Sequence, residues 1–69
     1  MFSASYPRIT RSAGTNVAYL ALGPIGDGEV ARSIPVEDDD GTALLVVDFS
    51  ASGLVLGIEF LDASVQLPE

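Results

Sequence analysis

Leu44-Leu45-Val46-Val47-Asp48-Phe49, Ser50-Ala51-Ser52-Gly53 and Leu54-Val55-Leu56-Gly57-Ile58-Glu59-Phe60-Leu61 follow one another in the last third of a 69-residue chain. Two apolar runs of strand length flank a small, polar, glycine-ended turn, the pattern of a β-hairpin. Side chains alternate between faces along a strand. The second run therefore puts Leu54, Leu56, Ile58 and Phe60 on one face and Val55, Gly57, Glu59 and Leu61 on the other. In the first run Leu45, Val47 and Phe49 join the Leu54–Phe60 set, opposite Leu44, Val46 and Asp48. That set reads as the core face. A slip of one residue would expose it, so the register of the hairpin is well specified.

Upstream, Ile9-Thr10-Arg11 reads as the end of a strand, and Ser12-Ala13-Gly14-Thr15-Asn16 as a turn. Val17 to Leu22 is a further apolar strand, cut off by Gly23-Pro24. Glu29 to Val36 alternates imperfectly, because Arg32 shares the parity of Val30, Ile34 and Val36. Pro35 cannot donate a ladder hydrogen bond, so an edge strand is expected there. Glu37-Asp38-Asp39-Asp40-Gly41 is an acidic turn. Residues 1–8 fit a flexible end or an edge strand anchored by Phe2 and Tyr6. No stretch of ten or more residues has helical period, but Asp62 is placed to cap one turn through Ala63-Ser64-Val65-Gln66. The expectation is a mainly β fold, one domain over residues 1–69. Its antiparallel sheet has four or five strands in a hairpin-rich meander, centred on residues 43–49 and 54–61, with at most one short helix near the C-terminus.

Composition narrows the function classes. A chain this short buries only about 60% of its unfolded surface, so reinforcement by disulfides, metal or self-association is common. The absence of cysteine rules out disulfides and thiolate zinc sites, and the absence of histidine rules out imidazole sites and His-based triads. Hydrophobic residues make up 48% of the chain and charged ones only 19%, which leaves apolar surface that a monomer cannot hide. Self-association is the remaining reinforcement. Ten acids stand against Arg8, Arg11 and Arg32, a net charge of -7. That charge repels phosphate backbones and anionic membranes, so neither nucleic acid nor membrane is an expected partner. The first residues lack a signal peptide's basic and apolar regions, and no apolar run reaches membrane-span length, so a cytoplasmic location is expected.

Few residues suggest chemistry. The acidic turn could supply oxygen ligands to a hard cation, but consecutive acids point in different directions and the spaced EF-hand pattern is absent. Asp48, Glu59 and Asp62 are the other carboxylate candidates for metal binding or acid–base work. Their structural readings are ion pairing of Glu59 with Arg11 or Arg32 and capping by Asp62. The glycines of Gly23 to Gly28 lack the Lys-Ser/Thr and helix of a phosphate loop. Tyr19 reads as a half-buried packing residue. No cofactor, no metal and no catalytic residue is expected.

Asn16-Val17-Ala18-Tyr19-Leu20, Val30-Ala31-Arg32-Ser33, the acidic turn ending in Gly41, Val47-Asp48 and Gly57-Ile58-Glu59-Phe60-Leu61-Asp62-Ala63-Ser64 together resemble the DUF2283 family of small bacterial and archaeal domains. Where members carry a Tyr-Asp-Pro-type turn, this chain has Arg11-Ser12-Ala13. The resemblance implies a compact antiparallel β-rich domain with no assigned activity. Members often lie beside genes for toxin-like proteins, which implies an antitoxin role as one alternative.

The reading that follows is a small acidic protein-interaction module, a homo-oligomer (dimer) or the partner of another protein, without catalysis. Leu44, Val46, Val55 and Leu61, opposite the presumed core, form the expected interaction face. The alternatives are an antitoxin-like partner of a basic toxin and a carboxylate-metal hydrolase using Asp48, Glu59 and Asp62.

Overall fold

The structure, a computed structural model, describes residues 5–68. The expected role of Phe2 as an edge-strand anchor lies outside the described residues. Five strands follow in chain order: β1 (Arg8–Ser12), β2 (Val17–Ala21), β3 (Arg32–Glu37), β4 (Ala43–Phe49) and β5 (Val55–Phe60). One short helix, α1 (Ala63–Gln66), closes the chain. All pairings are antiparallel, in the order β1-β2-β5-β4-β3. The fold is mainly β, and the hairpin of β4 and β5 puts β5 at the centre of the sheet.

Local chemistry accounts for each hairpin. Between β4 and β5, Gly53 adopts a φ of 94°, which a residue with a Cβ rarely tolerates. The Ser50 hydroxyl accepts from the Leu54 amide at 3.1 Å, and the Ser50 amide donates to the Leu54 carbonyl at 2.9 Å. Between β3 and β4, Asp38 Oδ1 accepts from the amides of Asp40 (2.9 Å) and Thr42 (3.1 Å), so the acidic turn is held by its own first aspartate. Glu37 belongs to β3 rather than to that turn, and Glu29 to Ala31 precede the strand. Pro35 sits on an edge strand, where its missing donor costs no ladder bond inside the sheet. Residues 22–31 lead from β2 to the far edge, so β3-β4-β5 form a meander to which the β1-β2 hairpin is added along β5.

Residues directly opposite in register share a face. One row crosses the whole sheet as Ile9, Leu20, Ile58, Val47 and Ile34. The next row reads Arg11, Ala18, Phe60, Leu45 and Val36. This is the face expected to be the core, and it is buried only in part: Ala18 and Leu56 are buried, the other residues of the three inner strands are half-buried, and those of the edge strands are exposed. Of the Leu54–Phe60 set only Leu56 is buried; Ile58 and Phe60 are half-buried, and Leu54 is 62% exposed. The reason is architectural. A sheet face becomes core only when a second layer packs on it, and α1 lies at the end of the sheet instead of across it. Among the described residues the buried apolar ones are Ala18, Leu56 and Ala63, and no large side chain is fully buried.

Stability should follow burial instead of strand parity. Leu56→Ala is expected to cost about 2–3 kcal/mol, whereas Leu54→Ala, in the hairpin turn, should cost less than about 0.5 kcal/mol. Equilibrium urea unfolding of both variants checks this.

Candidate functional site

On the face opposite the apolar rows, four strands contribute to one polar arrangement. Tyr19 in β2 pairs with Glu59 in β5, and Asp48 in β4 pairs with Gly57 in β5 and Ser33 in β3. The Tyr19 side chain lies over Gly57, so that a Cβ at that position would collide with the phenol hydroxyl, Cζ and Cε2. An isolated glycine inside a strand often marks such a close approach. The phenol thereby crosses β5 and donates to Asp48 Oδ2 at 2.8 Å. Ser33 Oγ donates to the other oxygen, Oδ1, at 2.7 Å. The carboxylate of Asp48 thus accepts one hydroxyl on each oxygen and ties β2, β4 and β3 together across the face.

The electrostatics of this group favour a protonated phenol. Burial, the hydrogen bond to Asp48 and the charges of Asp48 and Glu59 push the Tyr19 pKa up from 10.0 to about 12. At neutral pH Tyr19 is a donor and not a base, and Asp48 is its acceptor. The arrangement provides a cross-sheet tie. The sequence predicts a half-buried packing residue at Tyr19, and Tyr19 is half-buried, with a polar role besides.

Glu59 meets neither arginine expected as its partner. Its register neighbours are Tyr19 and Val46. Arg11 sits in the Ala18 row on the other face and donates to the Pro68 carbonyl at 2.9 Å. Arg32 pairs with Phe49 and lies over its ring, 5.8 Å from the centroid.

Asp62 is the N-cap residue of α1, but its side chain makes no capping bond. Asn16 does that work from the β1-β2 turn, where its φ of 58° suits asparagine better than most residues. Its carbonyl accepts from the Ala63 amide at 2.9 Å, and its Oδ1 accepts from the Ser64 amide at 2.8 Å. Asn16 Nδ2 donates to Asp62 Oδ1 at 2.7 Å. Gln66 completes the junction, accepting from the Asp62 amide at 3.0 Å and donating to the Leu44 carbonyl at 2.8 Å.

The three carboxylates considered for metal or acid–base chemistry are therefore divided. Asp48 and Glu59 share a face, and Asp62 belongs to the α1 junction. Among the described residues no group of three or more acids is placed to hold a metal ion, and no cavity is enclosed. Of the expected interaction face, Leu44 (37%) and Val55 (38%) are exposed, while Val46 and Leu61 are half-buried. Val55 departs from that face, because an irregularity in the β4-β5 register sets it opposite Phe49. Ser33 and the Tyr19–Asp48 bond escaped sequence reasoning. The signal that could have found them was Gly57 alone in an apolar strand. Among the described residues no helix is long and apolar enough to cross a membrane. No family model, curated protein or solved structure matches the chain.

Two outcomes are expected at this tie. Gly57→Ala should cost about 1–3 kcal/mol by displacing the phenol, and the cost should vanish in a Tyr19→Ala background; a double-mutant unfolding cycle checks the coupling. In a Tyr6→Phe background, ultraviolet titration of Tyr19 should give a pKa near the raised value of about 12. Asp48→Asn should lower it without returning it to 10.0, because burial is the largest cause. Since the folded value lies above the unfolded one, this contribution to stability is complete below pH 10.0 and is lost as pH rises through about 12.

Proposed function

We propose that this chain is a small acidic protein-interaction module without catalytic activity, and that it works through the apolar face of its sheet. The observation carrying this reading is the Ile9-Leu20-Ile58-Val47-Ile34 row, in which no side chain is buried and both ends are exposed, Ile9 at 49% and Ile34 at 42%. Soluble proteins rarely leave a contiguous apolar surface of this extent without a partner. The partner is a protein, as a second copy or another chain. Nucleic acid is disfavoured by a net charge of -7. A cytoplasmic location belongs to the same reading.

Membership of the DUF2283 family is part of the proposal. Its support is internal. Asn16, Tyr19, Asp48, Gly57, Asp62 and Ser64, all within the segments that carry the resemblance, take part in the cross-sheet tie and the α1 junction, to which Gln66 outside those segments also contributes. A second reading, an antitoxin-like partner of a basic toxin, is favoured by the wholly exposed acidic corner Glu37 to Asp40.

The chain has no native thiol, so single-cysteine variants report cleanly. In an extract of its native cells, Ile34→Cys on the apolar face should react with a thiol reagent at least tenfold more slowly than Thr10→Cys on the opposite face. Both positions are exposed in the single chain. Equal reactivity would mean that nothing covers the apolar face.

A further inference from the structure

Building on the reading that the apolar face is an interaction surface, we infer that its occupant is a second copy of this chain, packed face to face into a two-layer sandwich. Three observations on the molecule converge on it.

The first is area. The whole chain exposes 4961 Å², while a folded monomer of 7.2 kDa exposes about 4100 Å². The surplus, about 800–900 Å² with the termini outside the described residues counted in, is of the order that one partner of a standard interface removes from water, about 800 Å². Covering one face of one sheet with a like sheet is of the right size.

The second is the placement of charge. The described strands place no acid on this face: β1 presents Ile9 and Arg11, β2 Ala18 and Leu20, β5 Leu56, Ile58 and Phe60, β4 Leu45, Val47 and Phe49, and β3 Arg32, Ile34 and Val36. Glu59 and Asp48 lie on the opposite face, and the acidic turn lies at the β3-β4 end. Two copies can meet here without placing carboxylate against carboxylate. The two arginines stand at diagonal corners, Arg11 on one edge strand and Arg32 on the other. A two-fold axis along the strands brings Arg11 of each copy over the Val36 end of the other copy, which leads into Glu37 to Asp40. An axis across the strands does the same for Arg32.

The third is self-complementarity. The row is isoleucine at both edges and at its centre, with Leu20 and Val47 between, so it reads nearly alike from either side. An isologous interface needs a patch that matches itself.

The test uses the purified full chain at micromolar concentration and about 0.15 M salt. Light scattering should give twice the 7.2 kDa chain mass. Ile34→Asp, exposed in the single chain, should keep the far-UV circular dichroism of a sheet and lose association at least a hundredfold. Leu44→Asp, equally exposed but off this face, should remain a dimer. Should Ile34→Asp fail to fold, Ile34→Cys serves in its place, with a thiol protected at micromolar and labelled at least tenfold faster at nanomolar concentration. A wild-type particle of single-chain mass, or a dimer that Ile34→Asp leaves intact, overturns the inference. If the purified protein is monomeric while Ile34→Cys stays protected in cell extract, the second copy is wrong and the interaction face stands. If the thiol is open in both, both are wrong.

Discussion

A single sheet has two faces, and a chain of this length has little left with which to cover either of them. Every other feature of the molecule answers to that constraint. Five strands take up nearly half of the described residues, and the helix found among them is four residues long and sits at the sheet's end. Hydrophobic burial, the dominant favourable term in folding, is consequently thin: among the described residues the buried apolar side chains are two alanines and one leucine. A single layer must be held by pairwise ties within the sheet, or by whatever packs on it from outside.

The two faces divide these tasks. The polar face is held from within. Tyr19 spans β5 above Gly57 to reach Asp48, which Ser33 also reaches from the edge strand. Hydrogen bonds to a charged acceptor contribute about 1.5–3 kcal/mol each, more than neutral ones. They link strands that share no ladder, so β2 and β4 are coupled through side chains as well as through β5. The junction of Asn16 with Asp62, Ala63 and Ser64 does the same at the sheet's end, joining the first hairpin to the last residues of the chain. The apolar face has polar side chains only at its edges, Arg11 and Arg32, and among the described residues no hydrogen-bonded tie links its strands through side chains, so it is completed by burial.

The strands and turns were legible in the sequence because each rests on local chemistry. The Ser50–Gly53 turn with its flanking runs sets β4 and β5, Pro35 marks an edge, and Asp38 organises its own turn. Parity correctly sorted Leu56, Ile58 and Phe60 from Gly57 and Glu59. It could not say that the first set lacks a cover, because alternation reports which residues share a face and not what lies against it. The side-chain ties were illegible for a related reason. Asn16 and Ser64, or Tyr19 and Asp48, are distant in sequence and meet only once β2, β4 and the helix junction are set against β5. Asp62 looked like the helix cap because it stands at the N-cap position, yet the acceptor comes from a turn 46 residues earlier.

The net charge of -7 opposes pairing of two such chains, and magnitudes decide the outcome. Paired sheets sit about 10 Å apart, so acids on the outer faces of a sandwich lie about 20 Å from their counterparts. In water two unit charges at that distance repel by about 0.2 kcal/mol, and screening at physiological salt cuts this roughly tenfold. Even with seven net charges on each side the sum is on the order of 1 kcal/mol. An interface of about 1,600 Å² contributes on the order of 40 kcal/mol gross at about 25 cal/mol per Å². Loss of rigid-body freedom and ordering of side chains remove a large share of that, but repulsion is the smallest of these terms. Acids kept off the apolar face hold the molecule soluble without closing that face to a like surface.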